Sequence, residues 1–166
     1  MLVVTVIEKM IKFYHGNFHD ISHFLNVHAL AKIIGEQEGL DRQTQLILEL
    51  AAAVHDIACP LCREKYGNTN GKNQELESPP LITSFFSDVS VPTEIVQRVS
   101  WLAAHHHTYG LSDDLDYQIL LEADYLVNAA ENSYSISSIK TVKERVFKTD
   151  TGKELLVSMF LNQKNC

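Results

Sequence analysis

Long apolar runs are scarce in this 166-residue sequence, and no stretch alternates apolar and polar residues well enough to read as a strand in a sheet. Without a run near the ~20 residues needed to cross a bilayer, a membrane-spanning reading is set aside. The opening segment, Met1 to Met10, is apolar but carries Glu8 and Lys9, and it lacks the basic start and small-residue cleavage site of a secretory leader. Cysteine is sparse too. Cys59, Cys62 and Cys166 are an odd number, too few for a disulfide framework, so a reducing, cytoplasmic setting is expected. Positive charge is the last shortage: 14 Lys and Arg face 21 Asp and Glu, a formal net charge of −7. With no basic stripe, a nucleic-acid duplex is not the expected partner. A phosphorylated small molecule stays open, because a bound cation can reverse the local field.

What remains is an ordinary globular composition, 45% hydrophobic and 21% charged, in a length that can bury a real core. Repeats and low-complexity tracts are absent, so one domain over residues 1–166 is expected, with a motif-bearing core at about 20–131. Helical periodicity dominates. Helices are expected at Val3–Tyr14, with Val3, Ile7, Met10, Ile11 and Tyr14 inward, and at Asp20–Gln37. A third runs from an Asp41 cap to Ala58, apolar nearly all round between Leu46 and Val54, and belongs at the centre of a bundle. Cys59-Pro60 ends it, Pro60–Gly71 reads as a loop, and Pro79-Pro80 splits Lys72–Phe86 into two short pieces. Further helices follow at Thr93–His107, Asp113–Glu131, Ser138–Lys148 and Thr151–Leu161, giving an all-α bundle.

The informative residues are ionisable groups where the periodicity demands apolar ones. Histidine is abundant, eight in all, with five in two clusters. His23 shares a face with Val27, Leu30 and Ile34; His55 and Asp56 end the most apolar helix; Asp124 lies on the stripe of Leu120, Val127 and Ala130. Taken singly each is commonplace, and His23 alone would pass for a hydrogen-bonded core histidine. Together they are not, since buried carboxylates must be neutralised, paired or metal-bound, and no Lys or Arg shares those faces. A cation is the missing partner. His55 and Asp56 diverge by about 100° on a helix, yet both can reach one ion at a helix end.

The order His23, then His55-Asp56, then Asp124 resembles the HD superfamily of metal-dependent phosphohydrolases. The flanking text is similar as well: His23-Phe-Leu-Asn-Val27, then Leu50-Ala-Ala-Ala-Val-His55-Asp56-Ile57, then Glu122-Ala-Asp124-Tyr-Leu126. The resemblance spans about Asp20 to Glu131 and implies an HD-domain helical bundle whose metal is held by His23, His55, Asp56 and Asp124. It prefers His23 over His19, which stands four residues earlier. It implies hydrolysis of a phosphate ester or anhydride of a small, nucleotide-like substrate by metal-activated water. The cation would be Mn, Mg, Fe, Co, Ni or Zn.

His105, His106 and His107 cannot all face one site; His106 continues the stripe of Ile95, Val99 and Leu102, and His107 can join it if the helix ends there. In two-metal relatives of the family, extra histidines fall between the His-Asp pair and the last Asp. This chain has none between Asp56 and His105, so Glu75 or Glu77 would have to substitute, and one metal is expected, with His106 and His107 serving a second metal or the substrate. Asp56 and His106 are the catalytic candidates. Lys72 and Arg63 are the first choices for phosphate contact, followed by Lys65 and Arg98. Cys59-Pro-Leu-Cys62 is half a structural zinc site with no second half, and reads as a pair of loop thiols. Two other functions stay open: a di-iron oxygenase on the same fold, and a metal-binding regulatory module without catalysis.

Overall fold

The computed structural model describes residues 1–162, so Cys166 lies outside the described residues. Among the described residues nine α-helices follow one another: α1 (Leu2–Tyr14), α2 (Phe18–Gln37), α3 (Arg42–Val54), α4 (Cys59–Tyr66), α5 (Gly71–Phe85), α6 (Thr93–His105), α7 (Leu115–Glu131), α8 (Ile136–Arg145) and α9 (Asp150–Leu156). A π-helical turn, Val157–Leu161, continues α9. Strands are absent among the described residues. The chain is an all-α helical bundle.

α3 is the central rod. Every residue from Leu48 to Val54 is buried, and the helix packs against α1, α2, α6 and α7. Glu49 belongs to that buried run, so its middle is less purely apolar than expected; Lys32 (3.3 Å) and Gln45 (3.0 Å) satisfy the carboxylate. The full burial of Phe24, Leu48, Leu50 and Leu120 removes them from water at about 2 kcal/mol each. Helix starts are set by short polar side chains: Asn17, Asp41, Asn70, Ser135 and Thr149 each accept from a backbone N–H of the first turn. Such caps contribute about 1 kcal/mol apiece. α1 buries Met10 and Tyr14 and packs Val3 and Ile7 half-buried against the core as expected, but Val6 joins that face and Ile11 is left at the surface.

Several expectations around α3 need correcting. The third helix stops at Val54, and His55 to Ala58 form a tight turn before α4 begins. Pro60 therefore opens a helix instead of closing one. In the first turn its missing N–H is one that has no intrahelical partner anyway. The expected loop at Pro60–Gly71 is mostly α4, and Cys59 and Cys62 are buried on it rather than loop thiols. α5 also runs unbroken through Pro79-Pro80. The carbonyls deprived of donors are those of Glu75 and Leu76, whose residues are exposed, so water can take the lost bonds. Finally, Arg42–Tyr66 does contain an 18-residue window apolar enough for a span, at mean hydropathy 1.4, but 67% of it is buried inside the bundle and the turn interrupts it.

The C-terminal elements are docked by one buried acid. Glu122 on α7, fully enclosed, accepts from Gln118 Nε2 (2.6 Å), Lys148 N (2.7 Å), Thr149 N (3.1 Å) and the Thr149 hydroxyl. Gly152 must be glycine here, because a Cβ would collide with the Glu122 carboxylate and Thr149.

Candidate metal centre

Four elements bring the ionisable residues together. His23 sits in the second turn of α2 on the buried stripe with Val27, Ala31 and Ile34. His55 and Asp56 occupy the turn that leaves α3, Asp124 lies on the buried face of α7, and His106 caps the end of α6. α6 ends at His105 rather than His107, which lets His106 and His107 turn toward the same place. Tyr14 fastens the turn by donating its hydroxyl to the Asp56 carbonyl (3.0 Å).

The hydrogen bonds fix which ring nitrogen faces inward. His55 Nδ1 lies 2.9 Å from the Ala52 carbonyl and His106 Nδ1 lies 2.7 Å from the Ala103 carbonyl. A carbonyl only accepts, so both Nδ1 atoms carry hydrogen and both Nε2 atoms are left with lone pairs when the rings are neutral. His23 Nδ1 faces the Glu131 carboxylate at 2.9 Å, with the same consequence. His23 Nε2 and His55 Nε2 are 3.2 Å apart. Asp124 Oδ1 stands 3.2 Å from the first and 3.5 Å from the second, and Asp56 Oδ2 stands 3.5 and 3.6 Å away. The other oxygen of Asp56, Oδ1, is 3.4 Å from His106 Nε2, yet both atoms are buried without a hydrogen bond.

Lone pairs and carboxylate oxygens crowded this way repel unless something positive lies among them. Ligands at about 2.1 Å from one ion, subtending 90–110°, stand about 3.0–3.4 Å from each other. The separations here come close to that, and the orphaned Asp56 Oδ1 and His106 Nε2 are the kind of atoms an ion satisfies. Three overlapping donor groups have the required compactness: His23, His55 and Asp124; His55, Asp56 and His106; His106, His107 and Asp124. An imidazole-carboxylate set of this kind suits a divalent transition metal or magnesium.

Electrostatics agree. Burial alone would strip charge from His23, but the hydrogen bond to Asp124 and the charge of Asp56 outweigh it and raise its pKa to about 9. Burial would likewise raise the pKa of Asp124 and Asp56. The bonds from His23 and His55 to Asp124, and the charge of His55 beside Asp56, instead hold both carboxyls below the usual range.

The HD domain family model matches residues 20–129. The chain belongs to the HD domain family. Its fold is similar to the crystal structure of a "predicted HD superfamily hydrolase" from an uncultured Thermotogales bacterium. That likeness has 23% identity over 94% of this chain and 82% of that one, with a TM-score of 0.59. No curated protein matches the sequence significantly. Family and geometry together give an HD-domain fold with donors able to hold a divalent metal.

Of the other candidates, the HD bundle gathers some and disperses others. His107 is at the rim, its ring 3.8 Å from that of His106, with Gln74 Nε2 donating to its Nε2 (3.0 Å). Loss of solvation, reinforced by His106, pushes its pKa down to about 4. Gly71 presses on it so closely that a Cβ there would stand 2.9 Å from the His107 Cβ. Lys72, the next residue, is exposed and pairs with no acid among the described residues. Glu77 is not among the gathered donors, since Lys65 (2.7 Å) and the Tyr66 hydroxyl (2.6 Å) engage it, and Glu75 pairs with His105 (3.3 Å). Arg63 is ion-paired with Asp20, and Arg98 is held by Asp114 and Asp116 in a separate cleft. His19 is largely exposed and outside the donor groups.

Sequence reasoning missed the supporting residues. Asn128 donates to Asp124 Oδ1 (2.8 Å), and Glu131 orients His23. The signal was available: Asp124, Asn128 and Glu131 fall at i, i+4 and i+7 and form a polar stripe on an apolar helix.

Proposed function

We propose that this HD-family chain is a metal-dependent phosphohydrolase acting on a phosphate ester or anhydride of a small, nucleotide-like molecule. The observation that carries the proposal is the pair of buried imidazoles whose Nδ1 atoms are committed elsewhere and whose Nε2 atoms meet 3.2 Å apart beside two ionised carboxylates. His23, His55, Asp56 and Asp124 are assigned as the metal ligands. When bound, a divalent cation supplies Lewis acidity toward a phosphate oxygen and lowers the pKa of a water.

The chain's own residues do the rest. Asp56, whose Oδ2 faces His23 and His55 while its Oδ1 faces His106, orients the attacking water. His106 is wholly enclosed, with its Nε2 3.4 Å from Asp56 Oδ1 and no hydrogen bond between them, so its part is that of an ion donor rather than of a group that reaches a leaving oxygen. His107, at the rim, is the better placed of the two to meet the departing oxygen. Lys72 is assigned to the phosphate, because it follows Gly71, which packs on His107, and pairs with no acid among the described residues; Arg63, occupied by Asp20, is the second choice. A two-ion version is favoured by the two-sided placing of the Asp56 oxygens and by the group His106, His107 and Asp124, with no part for Glu77. A cytoplasmic setting fits the two free buried thiols.

Elemental analysis of purified protein beside His55→Ala and Asp124→Asn tests the ligands, and an anaerobic phosphate-release screen on nucleotides and phosphodiesters tests the chemistry. At least one bound metal per chain, lost in both variants, and oxygen-independent phosphate release are expected. Full metal retention in the variants, or turnover that requires oxygen, refutes the proposal.

A further inference from the structure

Basic residues are scarce overall but not evenly spread. Five of the 14 Lys and Arg fall between Lys140 and Lys153, a stretch holding only Glu144 and Asp150 as acids. This segment is fixed in place by the buried Glu122, which takes the backbone N–H groups of Lys148 and Thr149, and by Gln118, which donates to the Val146 carbonyl (2.8 Å). Both anchors are on α7, the helix that carries Asp124, and Glu122 is only two residues away from it.

A cleft of about 250 Å³ lies where the segment meets α7, walled by Tyr109, Gln118, Leu121, Arg145, Val146 and Lys148. Leu121 and Gln118 precede Asp124 by three and six residues, which is roughly 5–9 Å along the helix axis. Tyr109 joins the two places: it stands two residues after His107, a member of a donor group with Asp124, and its half-exposed ring forms a wall of the cleft. Arg145 is exposed and forms no ion pair among the described residues, unlike Arg98, whose guanidinium is saturated by two aspartates in the larger cleft near Asp41. Among the described residues the Lys148 ammonium pairs with Asp113 alone, a fully solvated partner that a ligand can replace at little cost.

We infer that this cleft is a second anion subsite: it binds a phosphate or carboxylate on the same substrate molecule whose other phosphate is hydrolysed at the metal centre. Arg145 and Lys148 hold the distal anion, and Tyr109 packs against the part of the substrate that connects the two ends. The inference rests on the hydrolase reading above and narrows it to substrates bearing two anionic groups. A bound distal anion would also hold the scissile phosphate in register, so that binding energy from a remote group serves the reaction.

Alkanediol bisphosphates from ethanediol to pentanediol, each compared with the alkyl monophosphate of equal length, measure the subsite. The ratio of kcat/KM, bisphosphate over monophosphate, is expected to reach on the order of tenfold or more at one preferred length, as charge-assisted contacts allow. In Arg145→Gln/Lys148→Gln it should fall to near one, while Lys140→Gln, an exposed charge change on α8 outside the cleft, should leave it as in wild type. A wild-type ratio near one at every length, with monophosphates hydrolysed, overturns the subsite and leaves the hydrolase reading standing. An equal loss in Lys140→Gln also overturns it, by reducing the effect to net charge. If no phosphate ester is hydrolysed, the hydrolase reading fails, and arginine labelling by phenylglyoxal decides the subsite alone. Pentanediol bisphosphate should protect Arg145 but not Arg42, and equal labelling overturns the inference.

Discussion

Metal and proton should compete at His23, and the competition can be measured. In the metal-free protein the pKa of His23 stands at about 9 against an ordinary 6.5, because Asp124, Asp56 and Glu131 surround a buried ring. That gap corresponds to about 3 kcal/mol of stability. The folded value is the raised one, so this contribution is complete below pH 6.5 and disappears as pH climbs through about 9. Asp124 has the opposite sign: its pKa is depressed in the fold, so its contribution is present above the ordinary carboxylate range and lost as pH falls below it. A chelator-treated sample should therefore lose melting temperature between pH 6.5 and 9, by several degrees on the scale of a 166-residue domain.

A metal ion entering the cluster must expel the His23 proton, which turns the trend around for the loaded protein. Its apparent dissociation constant should fall about tenfold per pH unit in this window, and the melting-temperature gain on loading should widen as pH rises. Calorimetric titration of Mn²⁺ at pH 7.5, repeated in two buffers of different ionisation enthalpy, counts the protons; about one per ion is expected. A count of zero, or a metal-free melting temperature that stays level or rises between pH 7 and 9, would show that the imidazoles do not converge as described.

Three substitutions probe the surroundings. Glu131→Ala removes the acceptor on His23 Nδ1 and should weaken metal binding about 10–100-fold in a chelator competition, with activity recovered at saturating metal. An unchanged affinity would mean that Glu131 does not orient the ring. Glu122→Ala strands several buried donors at once and should cost about 3–5 kcal/mol in urea unfolding; a loss under 1 kcal/mol would contradict its role as the clasp of the C-terminal segment. Lys72→Met should raise KM about tenfold for a phosphorylated substrate while kcat changes little, and the reverse pattern would remove Lys72 from ground-state phosphate binding.

Much of this protein could be read from residue order. Apolar residues recurring every three or four positions specify helices wherever they occur, and helices that each bury one stripe must form a bundle. The polar exceptions on those stripes, His23, His55, Asp56 and Asp124, stand out because burying them without a partner is so costly that chance rarely leaves them there. Local rules faltered where local cost was repaid from elsewhere. Pro79-Pro80 stays helical where the carbonyls it leaves bare belong to exposed residues, and Pro60 starts α4 because a first turn needs no donor from it. Neither outcome follows from the presence of proline alone.

Long-range partnerships were beyond reach of any periodicity. Glu77 and Arg63 had suitable chemistry and plausible positions, but Lys65, Tyr66 and Asp20 claim them, and those pairings depend on how α2, α4 and α5 pack. The same packing swings His106 and His107 off the end of α6 toward Asp124, and it lays a basic C-terminal segment against α7 through one buried glutamate. A helix's pattern states which side is turned inward; which charges then meet, across a hundred residues of chain, is settled by the angle and register at which those inward sides come to rest on each other.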